Sequence, residues 1–553
     1  MALRCLDLPE IVGDICEELR CSYSFRSLAA FAVTDRLVCE VALDALWREQ
    51  RSLVPILKIL PQHRLDEVSS RELRLVIKDP ITPQGWARMQ YYASRVTTLD
   101  LHRRNGGATE SGRFCSNYTF YDVQIDDSAL KSISDYAEPH CIFPRLLHLD
   151  CSMFKLRSLA LIPMLFSPSI TSLAARLRNG DSVESEWLLR DLPSICPELR
   201  SVTGMGCKGS RLFPPPELLQ RLLTLESLTM AHLSIETIQC LAKLPSLRSL
   251  ELRVTQTFMS QVDRAAPLPP SLQTGIAMRH IKLELEDPAG LERFFAVVQT
   301  PLRVTAFDAV CSELEDPNLD IDVRHRNLDL LAQTLDPTCL KQILYYHNCD
   351  IDLSWGSVPA AHVLQLAYRY PNLSYLGIDC WFDTCDADLE ALARALPQLE
   401  YLILDTHAMN CRLGLDAETR QVRTTLAVLP AIARAFPKLC GLCIRLDATS
   451  VPALEPAVDA DSEGLRVSKH VRMHFADSPL EDPAAVAQYL RRVFARGCSL
   501  ASQPPEEGMY KRWKGNFWNW DESPTTAMDW PTGRWSEVRL ELIKLERESG
   551  TLV

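Results

Sequence analysis

A six-residue phrase, Leu-x-x-Leu-x-Leu or a close variant, recurs along most of this chain and restricts its fold more than any other feature. It stands as VTTLDL (96–101), LLHLDC (146–151), LESLTM (225–230), LRSLEL (247–252), LSYLGI (373–378), LEYLIL (399–404) and LCGLCI (439–444). Weaker copies are ITSLAA (170–175), LRSVTG (199–204), IKLELE (281–286) and LRVTAF (302–307). Leu225 and Leu247 lie 22 residues apart, and Leu373 and Leu399 lie 26 apart. Periods of about 20–50 residues mark stacked units. The segments feeding the phrase are helix-like: IQCLAKLP (238–245), VLQLAYRYP (363–371), LEALARALP (389–397) and LPAIARAFP (429–437), each stopped by a proline. Every unit therefore reads helix, Pro, short strand. Such a unit buries its apolar face only against its neighbours, so the units must stack.

Phrase and spacing together resemble leucine-rich repeats of the degenerate class over roughly residues 90–495. The resemblance implies an α/β fold, a solenoid with a curved parallel sheet and outer helices. A doubly wound α/β sheet also alternates strand and helix, but the literal recurrence of the phrase favours the solenoid. Residues 104–140, 253–280 and 308–338 read as irregular insertions. Alternate strand side chains point to opposite faces, so the second and third apolar positions turn inward and the residues between and just after them face the open side. Those between are Asp100, Asp150, Thr229, Glu251, Gly377, Ile403 and Cys443; those just after are His102, Ser152, Ala231, Arg253, Asp379, Asp405 and Arg445. The candidates for partner contact among them are Asp100, His102, Asp150, Glu251, Arg253, Asp379, Asp405 and Arg445. The first row leans acidic, which suits a basic or mixed partner.

The N-terminus has a different texture. LDLPEIVGDICEEL (6–19) reads as a one-faced helix: Asp7 suits a cap, Pro9 the first turn, and Ile11, Ile15 and Leu19 recur every four residues. Two further short apolar segments follow, FRSLAAFAVTDRLV (25–38) and EVALDALWREQ (40–50). Three helices in about 45 residues bury little surface alone and lean on a partner or on the rest of their own chain. Leu8-Pro9-Glu10-Ile11, Ile15, Leu19, Leu28, AVTDR (32–36) and Trp47 resemble the F-box. The segment ALDALWREQRSLVPILKILP (42–61) resembles the one that trails the F-box in many basidiomycete fungal proteins. The usual motif has one more residue between its Leu-Pro and Glu-Ile pairs. The resemblance implies a three-helix unit docking a Skp-type adaptor, with Leu8, Pro9, Ile11, Ile15, Leu19, Leu28, Val33 and Trp47 forming or supporting the docking face.

The remaining features exclude more than they assign. A formal net charge of −12, from 59 Lys and Arg against 71 Asp and Glu, leaves no bulk basic surface for nucleic acid. No apolar run reaches about 18 residues, so no membrane span is expected. Nineteen cysteines without a secretory signal read as buried thiols of a reducing compartment, cytoplasmic or nuclear. Gly204, Gly206 and Gly209 spell a dinucleotide-like pattern, but SRLFPPPE (210–217) follows it where a helix is needed. Cys440 and Cys443 lie in a repeat phrase with no second pair, and Cys380, Asp383 and Cys385 lack a spaced His. No cofactor or metal is expected. Beyond residue 500 a linker-like SQPPEEG (502–508) precedes a tryptophan-rich segment, in which Trp513 and Trp518 are candidates for partner contact, and WSEVRLELIKLERE (535–548) reads as a closing amphipathic helix or strand.

The expected organisation is an F-box-like motif over 1–55, a helical linker over 56–90, the solenoid over 91–500 and a Trp-rich cap or tail over 501–553. By resemblance, the function is that of a substrate-recognition adaptor in a Skp–cullin–F-box ubiquitin ligase, reaching the cullin through the Skp-type adaptor and holding an unknown protein substrate on the solenoid. The alternatives are a non-ligase interaction scaffold and an enzyme with an unrecognised pocket.

Overall fold

The computed structural model describes residues 8–22, 24–69, 72–101, 122–137, 141–151, 162–175, 191–205, 216–230, 234–241, 243–264, 278–298, 301–312, 321–348, 358–379, 382–404, 422–453, 470–475, 478–494, 497–500 and 534–548. The chain divides into two compact units, Met1–Leu247 and Arg248–Val553.

The first unit opens with α1 (Pro9–Cys21), α2 (Phe25–Ala32) and α3 (Arg36–Trp47). Pro9 occupies the first turn of α1, where a missing N–H forfeits no helical bond. Leu8 stands at the N-cap with no side-chain hydrogen bond, and the expected cap, Asp7, lies outside the described residues. Asp35 caps α3 by accepting the Leu37 N–H at 2.9 Å. Val12, Cys16, Leu28, Ala32, Val38, Ala42 and Ala45 fill the space between the three helices.

Strands follow as β1 (Glu49–Gln50), β2 (His63–Ser69), β3 (Glu72–Ile77), β4 (Thr98–Asp100), β5 (Asp122–Ile125), β6 (His148–Asp150), β7 (Ser172–Ala174), β8 (Ser201–Met205) and β9 (Ser227–Met230). The main sheet runs β1-β4-β6-β7-β8-β9 with every pair parallel. The expected helical linker over 56–90 is largely not helical. It holds an antiparallel β2–β3 hairpin before the helix Pro83–Ala93, and β5, later in the chain, pairs parallel on the far edge of β3. Leu73, Leu75 and Ile77 alternate along β3 with Leu75 and Ile77 buried, a period of two that a helix does not satisfy. The insertion expected over 104–140 likewise carries β5 and the helix Asp127–Ala137.

In the second unit the strands are β10 (Ser249–Val254), β11 (His280–Leu285), β12 (Ala306–Ser312), β13 (Gln342–Asn348), β14 (Val358–Pro359), β15 (Tyr375–Asp379), β16 (Phe382–Asp383), β17 (Tyr401–Leu404), β18 (Gly441–Cys443), β19 (Val471–His474) and β20 (Cys498–Leu500). Nine form a parallel sheet in the order β10-β11-β12-β13-β15-β17-β18-β19-β20, and β14 pairs with β16 separately. The insertions expected over 253–280 and 308–338 contain the helices Gln256–Arg264 and Ile321–Thr334.

Local chemistry repeats from unit to unit. The helices Ala360–Arg369, Asp386–Ala395 and Leu429–Ala435 are each followed by a buried residue, Tyr370, Leu396 or Phe436, and then by Pro371, Pro397 or Pro437. Pro has no N–H to continue the helix, so the chain turns into the next strand. Just before each strand, one carbonyl accepts two successive N–H groups of the next unit. Lys341 O takes Ser374 and Tyr375, Ser374 O takes Glu400 and Tyr401, and Glu400 O takes Cys440 and Gly441. Arg48, Thr97, Leu147, Thr171 and Arg200 do the same through the first unit. The inward apolar pairs Leu250/Leu252, Leu376/Ile378, Leu402/Leu404 and Leu442/Ile444 are buried, as the phrase requires.

The phrase also misses or misplaces several strands. β13 is preceded by Leu340 and turns Ile343 and Tyr345 inward, all three fully buried. In β12 the inward residues are Phe307 and Ala309, so the 302–307 phrase supplies one of them and its other inward position, Thr305, lies before the strand. An apolar wedge of suitable volume suffices at these positions, so Ile, Tyr, Phe and Ala serve where the phrase has Leu.

The last described element is the helix Arg534–Glu548, which buries Val538 and Leu542. Trp535 donates its indole N–H to the Ser478 carbonyl at 2.8 Å, with its ring centroid 4.9 Å from that of Phe475. Arg534 donates to the Leu480 and Glu481 carbonyls.

Candidate functional site

The three-helix unit separates residues that hold it together from residues that leave it. Leu28 is fully buried in its core and Leu19 packs against that core. Leu28 therefore belongs to the core, and Leu19 is partly buried beside it. Trp47 is half-buried against Tyr92, with ring centroids 5.0 Å apart, and belongs to the contact with the Pro83–Ala93 helix. Ile11 and Ile15 are half-buried on α1, and Pro9 is exposed. What remains uncovered is apolar: Leu8 is 46% exposed, Phe25 43%, Val33 84% and Leu37 67%. Phe25 and Leu37 were not among the residues the sequence selected. Pattern alone does not tell an apolar residue facing the core from one facing out.

The open face of the second unit's sheet is ordered in rows across the strands. One row runs Ser249, His280, Ala306, Gln342, Tyr375, Tyr401, Gly441 and Arg472; the next runs Glu251, Lys282, Asp308, Leu344, Gly377, Ile403, Cys443 and His474. On β10 to β13 the side chains of these two rows, apart from Ala306 and Leu344, are polar and linked. Lys282 donates to Glu251 at 2.6 Å, and Arg253 pairs with Glu284 and Glu286. Asp308 is fully buried, accepting from Gln342 at 3.0 Å and meeting His280 Nε2 at 3.0 Å. The small Ala306 stands between His280 and Gln342 in the register, which leaves both side chains free to lean onto Asp308. Of the expected acidic row, Glu251 is therefore matched in charge by Lys282 on the neighbouring strand. Lys282 escaped notice because it stands in a weak copy of the phrase, and His280 because it comes just before that copy.

From β13 to β18 the same face turns apolar. Leu344, Tyr375, Ile403 and Cys443 form a buried cluster with Tyr401 packed beside it. Burial, and then the Asp308 charge, hold the Tyr375 hydroxyl protonated well above its ordinary range. Next in the row, His474 Nδ1 lies 3.5 Å from Cys443 Sγ, and burial pushes its imidazole down to about 4.

Of the other predicted contact residues, Asp100 and Asp150 stand opposite each other on β4 and β6, with Asp150 nearly buried rather than solvated. Glu251 lies on the second row and Arg253 two residues further along β10, opposite Glu284, and Arg445 follows β18 half-buried. Asp379 ends β15. His102, Asp405, Trp513 and Trp518 lie outside the described residues, as does the side chain of Asp379. Among the described residues no three His, Cys, Asp or Glu side chains are grouped to hold a metal ion, and no helix is long and apolar enough to cross a membrane.

No family model matches the sequence, and no curated protein matches it. Among solved structures, an internalin (inlF) from Listeria monocytogenes str. 4b F2365 aligns over 66% of this chain and 82% of its own, at 12% identity and a TM-score of 0.28. A likeness at that score carries no argument about function. What stands on this chain's own residues is an α/β protein whose parallel sheets are built from repeated strand–helix units carrying the Leu-x-x-Leu-x-Leu phrase.

Proposed function

We propose that this chain is a substrate-recognition adaptor of a Skp–cullin–F-box ubiquitin ligase. On this reading the three-helix unit docks a Skp-type adaptor, and the open faces of the repeat sheets hold a protein target. The observation that carries it is the division within the three-helix unit. A full set of side chains already packs its core, while Leu8, Phe25, Val33 and Leu37 stay uncovered. Large apolar anchors of this kind dominate protein interfaces when a partner desolvates them. The mechanism is proximity: a target held beside a ubiquitin-charged enzyme reacts at a raised effective concentration, with no catalytic group from this chain.

A second reading, a scaffold outside any ligase, is favoured by the packing of α3 against the Pro83–Ala93 helix, as an N-terminal cap would pack. Affinity purification of the full chain from cells separates the two. Recovery of a Skp-type adaptor together with a cullin supports the ligase, and recovery of neither contradicts it.

A further inference from the structure

We propose that α3 works on two opposite faces, closing the three-helix core on one and locking the unit onto the repeats on the other, and that Arg95 is the positioning residue that fixes this orientation. The inference concerns the chain alone and goes beyond the ligase reading.

Helical periodicity separates the two faces. Val38, Ala42 and Ala45 share one side of α3 and are buried in the three-helix core. Glu40, Asp44 and Trp47 share the other. Both carboxylates on that side receive the guanidinium of Arg95, which lies just before the VTTLDL phrase. The Arg95 side chain is 8% exposed, while its partners remain 62% and 50% exposed. The guanidinium lies 4.6 Å over the Tyr91 ring, and the Tyr91 hydroxyl donates to Glu40 at 2.8 Å. Arg95 and then Tyr91 hold the Glu40 carboxyl below its ordinary range. A rigid planar fork that meets two carboxylates and one aromatic face sets an angle as well as a distance.

The covalent connection leaves no slack. Only Arg48 separates the end of α3 from β1, and its carbonyl accepts the Thr97 and Thr98 N–H groups at 2.9 and 3.0 Å. Arg20 reaches Glu49, and Arg48 reaches Glu17, which ties α1 to the same junction. A flexible tether needs several residues free to rotate, and this junction has none. The uncovered Val33 and Leu37 are thereby held at one orientation to the first strands, so whatever docks there is presented to the repeats over a narrow arc.

The exposure of Glu40 and Asp44 makes the test clean, because removing Arg95 leaves both carboxylates in water rather than stranded in a core. Keto-bearing residues placed at the exposed positions Glu18 and Arg145 accept spin labels without touching the native cysteines, and pulsed dipolar spectroscopy reads the distance between them in the full chain. The expected result is one narrow distribution in the wild type. Arg95→Ala should make it at least about twice as wide while the thermal midpoint stays close to wild type, and Arg95→Lys, which holds one carboxylate at a time, should fall between. If Arg95→Ala yields no folded protein, Glu40→Gln with Asp44→Asn removes the same contact from the other side and is read in its place. A broad wild-type distribution, or a variant distribution as narrow as wild type, overturns the proposal. No adaptor is present in the measurement, so loss of the ligase reading leaves it intact.

Discussion

Tyr401 lies across Gly441 on the neighbouring strand: a Cβ at position 441 would stand 2.6 Å from Tyr401 Cδ1. The glycine is there to give the ring its place, and the ring in turn flanks the buried cluster of Leu344, Tyr375, Ile403 and Cys443. Gly441→Ala should therefore cost about 1–3 kcal/mol, the usual penalty of overpacking. In a Tyr401→Ala background most of that cost should vanish. Urea unfolding of the two single variants and the double variant gives the coupling, and simple additivity would contradict the contact.

His474 provides a dependence on pH. Its imidazole titrates near 4 when folded, because of burial, against an ordinary value of 6.5. Between these values the unfolded chain binds a proton that the folded chain does not, so stability rises with pH through that window. The contribution is fully present above about 6.5 and is lost as pH falls towards 4, about 3 kcal/mol in all. His474→Gln should flatten the difference between urea midpoints measured at pH 7.5 and pH 5, and an unchanged difference would contradict the assignment.

Asp308 should tolerate substitution poorly. It is fully buried and meets His280 and Gln342 from two strands. Asp308→Asn turns one of the two carboxylate acceptors into a donor in a buried site, at an expected cost of about 1–3 kcal/mol. Hydrogen exchange should report the loss at β11 and β12 first, with β18 and β19 unaffected.

These sites also show what the sequence carried and what it did not. The strands with Leu at the inward positions were legible because a stacked wedge core demands apolar side chains at fixed intervals. β13 was not, because Ile343 and Tyr345 fill the same space without matching the phrase. The hairpin in 56–90 was hidden by the neighbouring helical pattern, although Leu73, Leu75 and Ile77 alternate clearly. For the three-helix unit, existence and length were legible, but the roles of its leucines were not: Leu28 is core and Leu8 is exposed, from the same residue type in the same kind of stripe. The Arg95 contacts join residues 51 and 55 positions apart, and no local pattern announces a pairing at that distance.

Sorting the three-helix unit predicts two kinds of variant. Leu28→Ala should destabilise the unit by about 2–5 kcal/mol, as a truncated core leucine does. Val33→Ala and Leu37→Ala, at exposed positions, should change stability by no more than about 0.5 kcal/mol. Thermal unfolding with circular dichroism checks both, and a large loss at Val33 or Leu37 would place them in the core instead.

On the proposed ligase reading, the uncovered apolar residues form the docking face for a Skp-type adaptor. Isothermal titration of the purified full chain with that adaptor, for wild type and for a Val33→Asp, Leu37→Asp double variant of unchanged thermal midpoint, tests it most directly. One-to-one binding by the wild type and at least about a hundredfold loss in the variant are expected, the effect of removing two anchors buried at the interface. Equal affinity in the two proteins, or no binding by the wild type, would contradict it.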